Sequence, residues 1–159
     1  MTTVTIVDTS VLCELLQVPG KCDPARSAEV ASEMNRRWDA GERFVIPITA
    51  VIETGNHIAQ CDGNRYEAAG RLVRMLRQAT SAESPWRVLQ TRLGADFLEA
   101  LCRGDSTGQT LEALAAAKVG AGDVAILVER DQFLATTAVR NVQVWTFDEG
   151  LSAFAAVRE

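Results

Sequence analysis

A three-layer α/β/α fold with a mostly parallel central sheet is the architecture this sequence predicts. Short β-branched or apolar runs at residues 3–7, 44–46 and 142–146 alternate with stretches of helical periodicity. Strands that alternate with helices pair in parallel, because parallel neighbours need long crossover connections and helices supply them.

The first run passes directly into Asp8, Thr9 and Ser10, which offer N-cap chemistry for a helix running towards Gln17. Pro19 and Gly20 stop that helix. After Asp23 and Pro24, the residues Ala31, Met34 and Trp38 recur at helical spacing as far as Gly41, whose residue type suits a helix end. Phe44, Val45 and Ile46 form a second strand ended by Pro47, and a third helix follows with Glu53 in its early turns. Asp62, Gly63 and Asn64 interrupt the pattern, which resumes over residues 66–79 as an amphipathic helix. A short strand at 86–89 and helices over 97–102 and 111–119 come next, about a break between Gly104 and Gly108. Gly120 and Gly122 open a long helical segment to about Ala138, and the last strand is capped by Phe147, Asp148 and Glu149 ahead of a short terminal helix.

At 159 residues the chain suits one domain, spanning 1–159, with one well-formed core. Apolar residues at 47% and charged ones at 23% exclude both a disordered chain and a membrane-spanning one. The N-terminus has no basic region of the secretory kind. Cys13, Cys22, Cys61 and Cys102 form no CxxC pair, and with His57 as the one histidine no zinc site of ordinary spacing can be assembled. A reduced, cytoplasmic protein is the expectation. The net charge of −5 weighs against a broad surface that coats nucleic acid. It leaves a nuclease open, since clustered carboxylates carry negative charge that a divalent ion would offset where a phosphate approaches.

Four acids stand where strands or loops pass into helices: Asp8 after the first strand, Glu53 early in the helix after the second, Asp123 at a helix start behind two glycines, and Asp148 after the last strand. In a parallel α/β sheet all of these junctions lie at one edge, outside the carboxyl ends of the strands. Close carboxylates repel one another unless cations sit between them, and an oxygen-only set without histidine or thiolate suits Mg²⁺ or Mn²⁺.

The segments VDTSVL, ITAVIETGNH, GAGDVAIL and VWTFDEGL resemble, in order, the acidic motifs of PIN domains, particularly the VapC-like toxin ribonucleases. The resemblance spans nearly the whole chain. It implies a Rossmann-like sheet, a shared acidic pocket and metal-dependent endonucleolytic cleavage of RNA. Asp8, Glu53, Asp123 and Asp148 match the family's four acidic positions, and Thr146 matches the hydroxyl that precedes the last acid. A protein antitoxin and a homodimer are the partners it implies. The interval between the third and fourth acids is longer than the family often has, and VERDQF around Asp131 imitates the terminal motif. Asp148 is the better assignment, because Asp131 lies about 12 Å along the same helix from Asp123.

Each acid also has a plainer role to set against ligation: Asp8, Asp123 and Asp148 as helix caps, Glu53 as a solvent-facing helix position. Thr9 and Ser10 suit either capping or the orienting of water at the site. Asn56, one helical turn beyond Glu53, is a candidate substrate contact. His57 reads as a packed side chain, and the ridge of Arg71, Arg74 and Arg77 as a solvated face that could alternatively meet phosphates. Leu15, Leu16 and Val18 suit the core or a protein interface. Gly120 to Ala125 formally matches a degenerate dinucleotide fingerprint, but it follows a helical run rather than a strand. Two other functions remain: a phosphatase using Asp8 as nucleophile, against which Ser10 stands where a second aspartate is usual, and a degenerate PIN domain that binds RNA or protein.

Overall fold

The computed structural model describes residues 2–155. Four strands, β1 (Val4–Val7), β2 (Arg43–Ile46), β3 (Trp86–Val88) and β4 (Val142–Trp145), form one wholly parallel sheet in the order β3-β2-β1-β4. Between them run helices α1 (Thr9–Leu15) and α2 (Pro24–Asp39), α3 (Ile48–Gln60) and α4 (Arg65–Ala79), and then α5 (Ala95–Arg103), α6 (Leu111–Ala116) and α7 (Ala121–Thr136). A short α8 (Glu149–Ser152) follows β4. The layering is the expected α/β/α.

All of β1 is buried, as is β2 from Phe44 onward, the pattern of strands covered on both faces. Ile6, Val7, Phe44 and Ile46 pack with Val11, Leu12, Ile126 and Leu127 in the main core. The chain steps outward from β1 to β2 and β3, then recrosses to set β4 on the other side of β1. The strand order therefore reverses between β1 and β4, and a crevice opens there at the carboxyl ends. Register pairs Val7 with Trp145, and the Asp8 amide donates to the Trp145 carbonyl at 3.0 Å, so Asp8 and the residues after β4 flank that crevice.

The central part of α7 is buried all round, from Val124 through Arg130. Two of those residues carry charge and both are partnered. Arg130 donates to the Phe154 carbonyl at 2.7 Å and to Ser106 Oγ at 2.7 Å, and pairs with Asp131 at 3.2 Å. Glu129, 1% exposed, accepts from the amides of Ile48 and Thr49 at 2.9 and 3.1 Å and from Thr91 Oγ1 at 2.6 Å. Pro47 gives α3 no side-chain cap of its own. A carboxylate some eighty residues downstream satisfies its orphan N–H groups and its dipole.

Helices end earlier than apolar periodicity suggests. After α1, the Val18 amide bonds the Cys13 carbonyl and the Gln17 amide the Glu14 carbonyl; after α6, Val119 bonds Leu114 and Lys118 bonds Ala115. Both are Schellman closures, normally built on glycine. Here Gln17 (φ +50°) and Lys118 (φ +64°) occupy the left-handed position, so no residue type announces the stop. At the end of α2 the same closure uses Gly41, which the sequence does announce.

Glu129→Ala should lower unfolding stability by about 3 kcal/mol in urea melts, because it strands buried donors. Lys118→Gly should raise stability by about 0.5–1 kcal/mol through relief of left-handed strain.

Candidate active site

The crevice at the β1/β4 junction holds a cavity of about 350 Å³ whose lining includes Asp8, Glu53, Asp123 and Asp148. The fold thus brings together the four acids singled out in the sequence. Asp131 lies elsewhere, beside Arg130 about two turns further along α7 in a separate hollow, and takes no part.

Asp8 is 3% exposed and is held by two hydroxyls. Thr146 Oγ1 donates to Asp8 Oδ2 at 2.7 Å while accepting from the Asp148 amide at 2.9 Å. Ser10 Oγ donates to the same oxygen at 2.8 Å while accepting from the Phe147 amide at 2.9 Å. Each hydroxyl spends its proton on Asp8 and its lone pair on the turn after β4. The two strand ends are thereby locked together, and one Asp8 oxygen is fixed in direction. The capping contact of Asp8 to the Ser10 amide is long, 3.4 Å, and Asp148 caps α8 through Oδ1 to the Leu151 amide at 3.0 Å. Capping and a place in the cavity coexist at both positions.

Glu53 reaches in from the second turn of α3. Its Oε2 accepts a long hydrogen bond from Thr9 Oγ1, 3.3 Å, and its Oε1 is buried with no partner. An unpaired buried carboxylate oxygen is costly unless something positive or protonated meets it. Burial, opposed by Thr9 and assisted by Asp8 and Asp148, raises the Glu53 pKa. Gly122 makes room for this carboxylate, since a Cβ there would come within 1.8 Å of Glu53 Oε1. Asp123 stands in the first turn of α7, and its pKa is pushed up to about 6 by burial and then by Asp148, Asp8 and Glu53, against a hydrogen bond from the Gly120 backbone.

Among the described residues, no three His, Cys, Asp or Glu side chains are gathered closely enough to hold an ion as they stand. The donor chemistry still fits a hard divalent cation. The acids are oxygen-only, line one cavity, and leave Glu53 Oε1 without a partner, and their proximity adds to the raised pKa of Glu53 and Asp123. Cys13 also lines the cavity, but burial pushes its thiol up to about 11, so it is no nucleophile at neutral pH. His57 lines the cavity with a pKa lowered by burial and by Lys21. Asn56 is exposed on α3 and is absent from the lining.

Three features escaped sequence reasoning. Lys21, Arg26 and Phe147 line the cavity, although nothing in their spacing marks them. Glu14, buried on α1, accepts from the Asp23 amide at 3.1 Å and from Ser27 Oγ at 2.9 Å, which ties α1 to the start of α2. Arg71, expected on a ridge with Arg74 and Arg77, instead donates to the carbonyls of Leu16 and Gln17 at 2.6 and 3.1 Å and pairs with Glu67 at 3.1 Å. Neither a family model nor a curated protein sequence matches this chain.

An unfolded aspartate titrates near 3.8 and folded Asp123 near 6, so between these values the folded state binds more protons. The stability of the metal-free protein should therefore fall as pH rises across that window. In chelator, Asp123→Asn should melt no higher than wild type at pH 4 and increasingly higher as pH rises from 4 to about 6, the difference levelling off above that, as thermal melts would report. Gly122→Ala should displace Glu53 and abolish Mn²⁺ binding by calorimetry while the circular dichroism spectrum is kept.

Proposed function

We propose that this protein is a divalent-metal-dependent endoribonuclease with a PIN-like site, in which Asp8, Glu53, Asp123 and Asp148 hold Mg²⁺ or Mn²⁺. The observation that carries this reading is the convergence of four carboxylates from four separate segments on one open cavity, one of them with a buried oxygen that has no protein partner. Topology alone would gather helix-capping acids at this edge, but Glu53 lies in the second turn of α3 and α7 has no side-chain cap, so capping accounts for neither Glu53 nor Asp123.

When bound, the cation supplies Lewis acidity and charge neutralisation for in-line hydrolysis of a phosphodiester. The protein's part is to aim its ligands and admit the substrate. Ser10 and Thr146 fix the free direction of Asp8, which keeps that carboxylate from swinging away from its neighbours. Gly122 and Thr9 set Glu53, and Asp148 spends one oxygen on α8. Side by side, these acids form a ready acceptor for positive charge and a barrier to bare phosphate, which makes seating of the scissile phosphate, though not of its neighbours along the strand, depend on the metal. Two further hollows adjoin the cavity, one sharing Lys21 and His57 with it and the other sharing Glu53, Asp123 and Asp148, which leaves room for a chain beyond the acids at both. That supports internal cleavage.

A phosphatase using Asp8 is the weaker reading, because Asp8 Oδ2 already accepts from two hydroxyls and Glu53 would have no task. A degenerate interaction module is disfavoured by the full set of acids. The role as toxin of a toxin–antitoxin pair, the protein antitoxin and a homodimer are proposed on the motif resemblance. A cytoplasmic location is proposed on the four free thiols. Among the described residues no helix is long and apolar enough to cross a membrane.

Purified protein incubated with mixed structured and single-stranded RNAs should cut with Mg²⁺ or Mn²⁺ and stop with chelator. Asp8→Asn and Asp123→Asn should cut at least about a hundredfold more slowly with unchanged melting cooperativity. Thr146→Val should lose about 10–100-fold, as expected for a group that orients a ligand. Equal cutting by wild type and Asp123→Asn would remove the assignment.

A further inference from the structure

We infer that Lys21 and Arg26 bind backbone phosphates of the RNA strand beside the scissile one, on the α1–α2 side of the acids. The inference rests on the nuclease reading above and adds where the strand lies. Both cations line the same cavity as Asp8 and Asp123, and among the described residues neither is in an ion pair. A polyanion entering a cavity walled by carboxylates needs positive charge on its path, and in a chain of net charge −5 these are the one lysine and the one arginine that line it.

The surroundings hold both residues in place. Arg26 lies over the Phe147 ring at 5.1 Å from its centroid, and the Phe147 amide is tied through Ser10 to Asp8. Lys21 sits on a connection braced at several points. Arg71 clamps the carbonyls of Leu16 and Gln17, Pro19 packs where a Cβ on Gly63 would fall, and the Lys21 amide bonds the Val18 carbonyl at 2.9 Å. Glu14 then secures Asp23 and Ser27, at the base of the helix that carries Arg26. Lys21 also lines the adjoining cavity beneath Pro19 and Gly63, so it stands where two hollows meet on one track. The exposed Arg74 and Arg77 line neither hollow.

The test is the affinity of a labelled single-stranded RNA across a salt series in chelator, together with KM and kcat for its cleavage in Mg²⁺. Lys21→Ala and Arg26→Ala should each weaken binding several-fold and lower the slope of log affinity against log salt by about 0.7. Their loss in cleavage should fall on KM, and Lys21→Arg and Arg26→Lys should restore the slope. Arg74→Ala and Arg77→Ala should leave both unchanged. If wild type cuts RNA but the Lys21 and Arg26 variants match it in KM and slope, or the Arg74 and Arg77 variants carry the loss, the strand runs elsewhere and this inference is wrong while the nuclease reading stands. If wild type neither cuts RNA with metal nor binds it in chelator, both fall together.

Discussion

Mutual repulsion of four carboxylates shapes this molecule's functional edge. Glu53 and Asp123 are partly withdrawn from water around a cavity they share with Asp8 and Asp148, and burial together with those neighbours disfavours their ionisation. Such a cluster costs stability when it is empty of positive charge. The surrounding structure tolerates it because separate devices fix each acid: paired hydroxyls on Asp8, a missing Cβ at Gly122 for Glu53, the first turn of α7 for Asp123, and the cap of α8 for Asp148. Strain of this kind is expected where function demands it.

The parallel sheet makes that arrangement available. Reversal of strand order between β1 and β4 places two strand ends side by side, and the helix after β2 adds Glu53 from the third side. α7 contributes from its first turn and from its middle. Asp123 in its first turn faces the cavity, while Glu129 two turns on holds the N-terminus of α3, the helix that carries Glu53. One buried helix thus supplies an acid and anchors the element bearing another.

Much of this was legible in the sequence because it is local. β-branched runs ending in Asp8 or before Asp148 mark strand-to-helix joins, and glycines ahead of Asp123 mark a helix start, and the geometry of each needs only neighbours along the chain. Choosing Asp148 over Asp131 was likewise a matter of helical rise, and Asp131 indeed lies away from the acids beside Arg130. The unread features are contacts across the fold. Glu129 capping α3, Gly122 yielding to Glu53 and Arg71 bracing the end of α1 join residues about 55 to 80 positions apart, and no periodicity records such pairs. The helices that close at Gln17 and Lys118 end two or three residues short of the ends expected from sequence for a different reason, since residues that rarely adopt left-handed backbone occupy the closing position.

A metal-holding role for this edge requires that the acids take up a divalent cation. Titration of Mn²⁺ into the protein at pH 6, followed by calorimetry in two buffers of different ionisation enthalpy, measures both affinity and the protons displaced. The account predicts saturable binding with proton release, because Asp123 is about half protonated near that pH, and predicts loss of both signals in Glu53→Gln. Absence of Mn²⁺ binding in the folded wild-type protein, or binding unaffected by Glu53→Gln and without proton release, would contradict it.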